Sequence, residues 1–283
     1  MTTLERIGFM QGRLSAMVDG KIQAFPWNEW REEFSRAQAL GLTRIEWTID
    51  QDRLYENPLN TAAGQTEILE LSRRTGLKAA SLTGDCFMQA PFWKAAGETQ
   101  KSLVADLDLV LASCAILGIE FVVIPLVDNG RIESAAQTET LLRILLDRTA
   151  SLSKQGVRIV FESDLPPAPL ARFIDKFPHE VFGINYDSGN SAALGHDSAE
   201  EISAYAPRIL NVHVKDRLLG GTTVQLGTGA ADLAKTIRLI EQSGYRGQYI
   251  LQTARATDGD HAGVLARYRD MTVGWIEDAG TNA

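Results

Sequence analysis

The sequence predicts a (β/α)8 barrel, a closed parallel sheet ringed by helices. Three observations point to it. Eight short apolar runs recur along the 283 residues, segments of helical periodicity separate most of them, and a glycine closes five of those segments shortly before the next run.

The runs lie at 7–10, 44–48, 78–83, 121–125, 158–162, 182–187, 209–214 and 249–253. Each is rich in β-branched or aromatic residues and continuous rather than alternating, as strands covered on both faces must be. The helical segments 27–40, 65–75, 99–117 and 139–155 end at Gly41, Gly76, Gly118 and Gly156, and 231–242 ends just before Gly244. Glycine past a helix supplies the left-handed residue that ends it, so each repeat reads as a βαβ unit. Pro166, Pro167 and Pro169 follow the fifth strand, so the next helix starts late or is short. No G-x-G-x-x-G follows the first strand, which argues against an open dinucleotide-binding sheet. One domain over 1–283 is expected, with the polar tail 278–283 frayed.

Composition narrows the partners. Hydrophobic residues make up 45% and charged residues 23%, an ordinary soluble balance. The net charge of −8 and the lack of a basic run remove nucleic acid as a partner. No stretch of about 18 apolar residues exists, and residues 1–13 mix charge into their apolar positions. The expectation is a cytoplasmic protein with no membrane segment. Cys86 and Cys114 are too few for a disulfide framework or a zinc motif and read as buried thiols.

In a parallel barrel the C-terminal strand ends share one face, where active sites form. Four neighbouring strands place polar residues there: Glu162 on the fifth, Asp187 on the sixth, His213 on the seventh and Gln252 on the eighth. One such residue reads equally well as a rim ion pair. Clustered carboxylates without a cation repel, and oxygen donors with one imidazole suit Mn²⁺, Mg²⁺, Co²⁺ or Zn²⁺. Arg13, in Gln11-Gly12-Arg13, follows the first strand and reads as a clamp for a phosphate or carboxylate, or as a rim salt bridge. Glu46 ends the second strand as an acceptor for a substrate hydroxyl or a partner of Arg13. Trp47 beside it could pack on a sugar face, while Trp27 and Trp30 read as core. Lys215, Arg217 and Arg255 suit an anionic substrate or a solvated rim. His179, His196 and His261 sit in turns or polar segments and read as surface residues.

The pieces Phe161-Glu162, Asn185-Tyr186-Asp187-Ser188-Gly189-Asn190, Asn211-Val212-His213-Val214-Lys215-Asp216 and Leu226-Gly227-Thr228-Gly229 carry a resemblance along nearly the whole chain. In order and strand position they resemble the xylose isomerase-like TIM-barrel superfamily, in its sugar-phosphate isomerase/epimerase branch. The resemblance implies one divalent metal held by Glu162, Asp187, His213 and the position that Gln252 occupies, with a glutamate on the fifth and another on the eighth strand moving protons. Two residues depart from the pattern. Gln252 replaces the second glutamate, and Asn190 stands where a substrate-contacting histidine is common.

The resemblance implies a metal-dependent sugar or sugar-phosphate isomerase/epimerase working through an enediolate, with Glu162 as base. An amide oxygen at Gln252 can ligate a metal but cannot carry a proton. A two-base epimerisation loses its second base, so an aldose–ketose isomerisation with one base is preferred. The alternative is a catalytically altered barrel that binds a carbohydrate or metabolite. An apurinic-site endonuclease needs a histidine-rich zinc cluster, which four histidines in an acidic chain do not supply. The tryptophan-rich segments near the mouth leave a homodimer open.

Overall fold

The protein is described over residues 2–281 of a computed structural model. Its strands are β1 (Ile7–Met10), β2 (Arg44–Thr48), β3 (Lys78–Thr83), β4 (Phe121–Leu126), β5 (Arg158–Ser163), β6 (Phe182–Asp187), β7 (Ile209–Val214), β8 (Asp216–Arg217), β9 (Thr223–Val224) and β10 (Tyr249–Leu251). β1 to β7 and β10 close into a parallel eight-stranded barrel, with β10 between β7 and β1. The other two, β8 and β9, form a small antiparallel hairpin above β7. The expected (β/α)8 barrel is therefore present. The eighth strand is shorter than its apolar run, although Gln252 N still donates to Val214 O at 3.1 Å.

The helices are α1 (Glu32–Ala39), α2 (Ala62–Thr75), α3 (Asp85–Gln89), α4 (Gly97–Leu117), α5 (Ala135–Leu146), α6 (Thr149–Gln155), α7 (Pro167–Ile174), α8 (Ser188–Leu194), α9 (Ser198–Tyr205), α10 (Leu233–Gln242) and α11 (His261–Thr281). All five glycines expected to close helices adopt positive φ, between 68° and 90°. The helix expected at 139–155 is two helices. Arg148 turns back to cap Ile144 O at 2.6 Å and pairs with Asp108 on α4 at 2.6 Å, which breaks the run at 147–148. α7 starts directly at Pro167, where a missing N–H costs nothing, and runs eight residues. The helix expected from 27 begins only at Glu32, because 26–31 form turns that seat Trp30 against Phe25 and Trp47. Residues 278–281 continue α11 rather than fray, with Ala279 buried against the protein. Residues 282 and 283 lie outside the described residues.

The main apolar core lies between sheet and helices. A small second cluster of Phe121, Val123 and Val160, with Leu210 packed on it, fills part of the barrel interior. Much of the remaining interior is polar, and two register shifts put it there. Between β2 and β3 a shift after Ile45 sets Glu46 opposite Ser81. Between β6 and β7 a shift after Ile184 sets Asn185 opposite Asn211, and so Asp187 opposite His213. An extra residue in one strand re-aims every later side chain, so these shifts bring the polar residues to one place.

At the opposite end, the barrel is held shut between β1 and β10. Arg6 makes a two-point ion pair with Glu241 on α10 at 2.6 and 2.9 Å and donates to Gly247 O. The Tyr249 hydroxyl donates to the same carboxylate at 2.7 Å, and the guanidinium lies 5.2 Å from the Tyr249 ring. Removing one partner leaves a mostly buried charge unpaired. Glu241→Ala should therefore lower unfolding stability by about 3 kcal/mol in urea titrations, while metal affinity at the far end stays unchanged.

Candidate active site

Donor atoms of Glu162, Asp187 and His213 lie within 4.8 Å of one another, all buried at the C-terminal end of the barrel. His213 Nδ1 is 3.2 Å from Glu162 Oε2 and 3.8 Å from Asp187 Oδ2. Asp187 divides its oxygens between two tasks. Oδ1 caps α8 by accepting from Gly189 N and Asn190 N at 2.9 and 2.8 Å, and Oδ2 faces the cluster. Glu162 is held on both oxygens: Asn185 Nδ2 donates to Oε2 at 2.9 Å and Asn190 Nδ2 to Oε1 at 2.5 Å. The strand ends expected to converge do so.

His213 is fully buried, and its other ring nitrogen, Nε2, lies 2.7 Å from Glu46 Oε1. Burial alone would make the imidazole less basic, but the Glu46 carboxylate, helped by Asp187 and Glu162, overrides it and raises its pKa well above the usual value. Burial pushes Glu46 up, and the adjacent His213 outweighs it and holds the carboxyl below its usual range. The same balance holds Asp187 low: burial opposes ionisation, while Lys215 and His213 favour it. Glu46 thus sits beneath the cluster, where it fixes the imidazole. It does not meet Arg13 or the mouth, as had been expected, because it is fully buried and its second oxygen accepts from Ser81 Oγ at 2.6 Å and Asn211 Nδ2 at 2.9 Å. A carboxylate behind a histidine, three donors together and one ring nitrogen facing them is an arrangement that could hold a divalent ion.

Gln252 reaches the same site. Lys215 Nζ donates to Gln252 Oε1 at 3.1 Å, Asp187 Oδ2 at 3.2 Å and Asn190 Oδ1 at 3.2 Å, so one ammonium ties these residues together. Lys215 can cross the start of α8 because residue 189 is glycine: a Cβ there would stand 2.6 Å from Lys215 Cγ. Arg217 Nη1 donates to Asn190 Oδ1 at 2.8 Å, and its other donors go to Gly221 O. Asn190, Arg217, Arg131 and Asp164 line a cavity of about 230 Å³, and Asn190 is its link to Glu162.

The segment after β1 forms a strap over the mouth. Its tip is a tight turn at Asp19-Gly20, both at positive φ, between Val18 and Lys21. Arg13 and Arg255 hold this strap. Arg13 donates to Thr253 O, Ile22 O and Gln23 Oε1, and Arg255 to Ile22 O and Ser15 O. Burial, with Arg255 nearby, lowers the Arg13 pKa to about 9. Both guanidiniums are engaged by carbonyls of the strap and the eighth-strand end, which corrects the expectation of free anion clamps. Glu33, wholly buried, accepts from Gly12 N and Leu14 N, and burial raises its pKa to about 7. Trp47 faces away from the mouth, fully buried, with its indole N–H on Asn57 Oδ1 at 3.0 Å. It cannot cover a sugar.

Several residues at the site had no role in the sequence reading. Asn211 Nδ2 links Glu46 to Asn185 Oδ1, and Gln248 Nε2 links Ser81 Oγ to Asn211 Oδ1, at 2.9–3.0 Å. The signal was there: an Asn in the middle of an otherwise apolar buried strand needs partners. Gln23 and Asp85 gave no such signal, because Gln23 lies on the strap and Asp85 opens the short helix α3, whose paths sequence does not fix. The motif Leu226-Gly227-Thr228-Gly229 serves Asp216, whose carboxylate accepts from Gly227 N, Gly229 N and Ala231 N. Among the described residues, His179 pairs with Pro207 O and His196 lies by Glu201, both away from the site.

A metal bound at this cluster would compete with protons for His213. Because the folded-state pKa of His213 is raised, Mn²⁺ uptake at neutral pH should release close to one proton, and affinity should climb as pH rises through that pKa. Calorimetry in buffers of different ionisation enthalpy measures the release. In Glu46→Gln the proton count should fall, and affinity at high pH, where protons no longer compete, should drop roughly 10–100-fold.

The family model described as xylose isomerase-like TIM barrel matches residues 34–270. L-ribulose-5-phosphate 3-epimerase UlaE of Escherichia coli is 24% identical over 270 residues, covering 91% of this chain and 94% of the relative. A xylose isomerase domain protein from Planctomyces limnophilus superposes with a TM-score of 0.74 at 17% identity, over 98% of this chain and 99% of that one. A xylose isomerase-like TIM barrel protein from Mycobacterium smegmatis, in complex with magnesium, superposes with a TM-score of 0.71 at 16% identity, over 99% of each chain. No described helix is long and apolar enough to cross a membrane. With the family model matching most of its length, this chain belongs to the xylose isomerase-like TIM barrels.

Proposed function

We propose that the protein is a divalent-metal-dependent sugar or sugar-phosphate isomerase/epimerase, with Glu162 as the proton-transferring base. The observation that carries this reading is the placement of Glu162. It belongs to the three-donor cluster and is aimed by two amides, one of which, Asn190, lines a cavity of about 230 Å³. Its curated relative UlaE is named for epimerising a ketose phosphate, which supports a ketose or its phosphate as substrate.

Glu162, Asp187 and His213 would hold the ion, with Gln252 Oε1 as a fourth, neutral oxygen donor. When bound, the ion supplies Lewis acidity that makes the carbon next to a substrate carbonyl acidic. The rest falls to the chain. Glu162 takes the proton from that carbon and returns it. Asn185 and Asn190 keep its oxygens fixed, so no reorientation is needed. Lys215 and Arg217, both on Asn190, place positive charge beside the developing enediolate. The strap over the mouth excludes water from that charge. Gln252 cannot return a proton, which favours an aldose–ketose isomerisation carried by one base over a two-base epimerisation.

Gln252 also supports a second reading, a barrel that binds a carbohydrate without turning it over. One experiment separates the two. Wild-type protein with Mn²⁺ in deuterated water should wash deuterium into a ketose panel that includes L-ribulose 5-phosphate, and Glu162→Gln should slow the wash-in by about 10²–10⁴-fold. Calorimetric binding of a ketose without exchange would establish the binding barrel instead.

Gln252→Glu restores a carboxylate beside Asp187 and Lys215. It should strengthen Mn²⁺ binding by roughly tenfold or more, because an added negative charge within a few ångströms of the cluster is only partly screened there.

A further inference from the structure

A continuous arc of side-chain hydrogen bonds crosses the mouth of the barrel. It begins at Asp85, the first residue of α3, just beyond β3. Asp85 Oδ2 accepts from Gln23 Nε2 at 2.7 Å, and Gln23 Oε1 accepts from Gln252 Nε2 at 2.9 Å. Gln252 Oε1 accepts from Lys215 Nζ, which also donates to Asn190 Oδ1, and Asn190 Nδ2 donates to Glu162 Oε1. Every link between the two ends is an amide or an ammonium. The ends are the two carboxylates, Asp85 and Glu162.

We propose that Asp85 is the second proton-transferring group of this site, carrying the oxygen-bound proton of the isomerisation while Glu162 carries the carbon-bound one. The proposal rests on the isomerase reading above.

Three features of Asp85 fit the role. It projects from the β3 end of the barrel, across the mouth from the β6–β7 wall that carries Asp187 and His213. It is 8% exposed, and among the described residues its side chain has one hydrogen-bond partner, Gln23, on one oxygen. Gln23 belongs to the strap and not to the barrel wall. Burial raises its pKa to about 7; Gln23 opposes this, Asp50 and Glu162 add to it, and Lys215 opposes it. Arg13 is the other charge that feels it. A carboxyl that is part acid and part base at neutral pH is matched to moving protons in both directions.

The step balances. Glu162 carboxylate takes the proton from the carbon beside the carbonyl, giving the enediolate, and Asp85, as the acid, then protonates the former carbonyl oxygen. Asp85 carboxylate then takes the proton from the neighbouring hydroxyl as Glu162 returns its proton to the former carbonyl carbon. The carbonyl has moved by one carbon, and both residues are restored.

The test is Asp85→Asn in the Mn²⁺-loaded enzyme, with the ketose that exchanges deuterium in the wild type. Conversion should fall by about 10²–10⁴-fold, while deuterium wash-in at the carbon served by Glu162 falls far less, so exchange outruns conversion. The wild type should lose activity as pH rises through the Asp85 pKa, and this limb should vanish in Asp85→Asn. Gln23→Ala removes the hydrogen bond but leaves the carboxyl, so it should keep the limb and the wild-type ratio of exchange to conversion. If Gln23→Ala reproduces Asp85→Asn, or if Asp85→Asn loses exchange and conversion equally, Asp85 merely anchors the strap and the proposal is overturned. Absence of exchange in the wild type itself overturns the isomerase reading and this proposal with it. An active wild type with an unaffected Asp85→Asn overturns this proposal alone.

Discussion

The contact between Glu46 and His213 sets the geometry of everything above it. An imidazole enclosed in a barrel has no solvent to settle its orientation. Glu46 Oε1, 2.7 Å from Nε2, leaves Nδ1 as the nitrogen facing Glu162 and Asp187. A buried carboxylate is costly unless it is paired and hydrogen-bonded. Glu46 meets that condition through His213, Ser81 and Asn211, and these in turn need Gln248 and Asn185. The interior network is therefore one unit: each polar group is satisfied because the next is present. It runs from Gln248 up to Glu162, so a carboxylate of the donor cluster is positioned by residues lying deep within the barrel.

Much of this fold was legible in the sequence because parallel barrels repeat their signals. Continuous apolar runs mark strands covered on both faces, and the glycines at 41, 76, 118, 156 and 244 mark helix ends by the conformation they alone take cheaply. The breaks that escaped notice have tertiary causes. Arg148 interrupts a helix by reaching Asp108 on another helix, and no local pattern records that. Glu162, Asp187, His213 and Gln252 were legible as a set because strand ends in a barrel share one face. Glu46 was placed at the wrong depth, since a strand-end residue on β2 looks the same in sequence whether it faces the rim or the axis. The shift after Ile45 decides it. Arg13 and Arg255 looked like ligand clamps because cations near a mouth usually are, but here the carbonyls of the strap claim them.

Gln252 reads at first as a loss of metal charge and of a base. The charges around it suggest a compensating effect. Glu46, Glu162 and Asp187 bring three negative charges, Lys215 brings one positive charge, and a divalent ion with neutral His213 makes the centre neutral overall. A glutamate at 252 would leave it negative. An enediolate is an anion, and it forms more readily beside a neutral centre lined by Lys215 and Arg217 than beside a negative one. In the proposed reaction, glutamine would exchange metal affinity for a better electrostatic environment around the intermediate. In the proposed isomerisation Glu162 alone serves the carbon, and the proton on oxygen is left to a group outside the ion's immediate surroundings, on the far wall. Asp85, joined to Gln252 through Gln23 and kept apart from the cluster, has that placement.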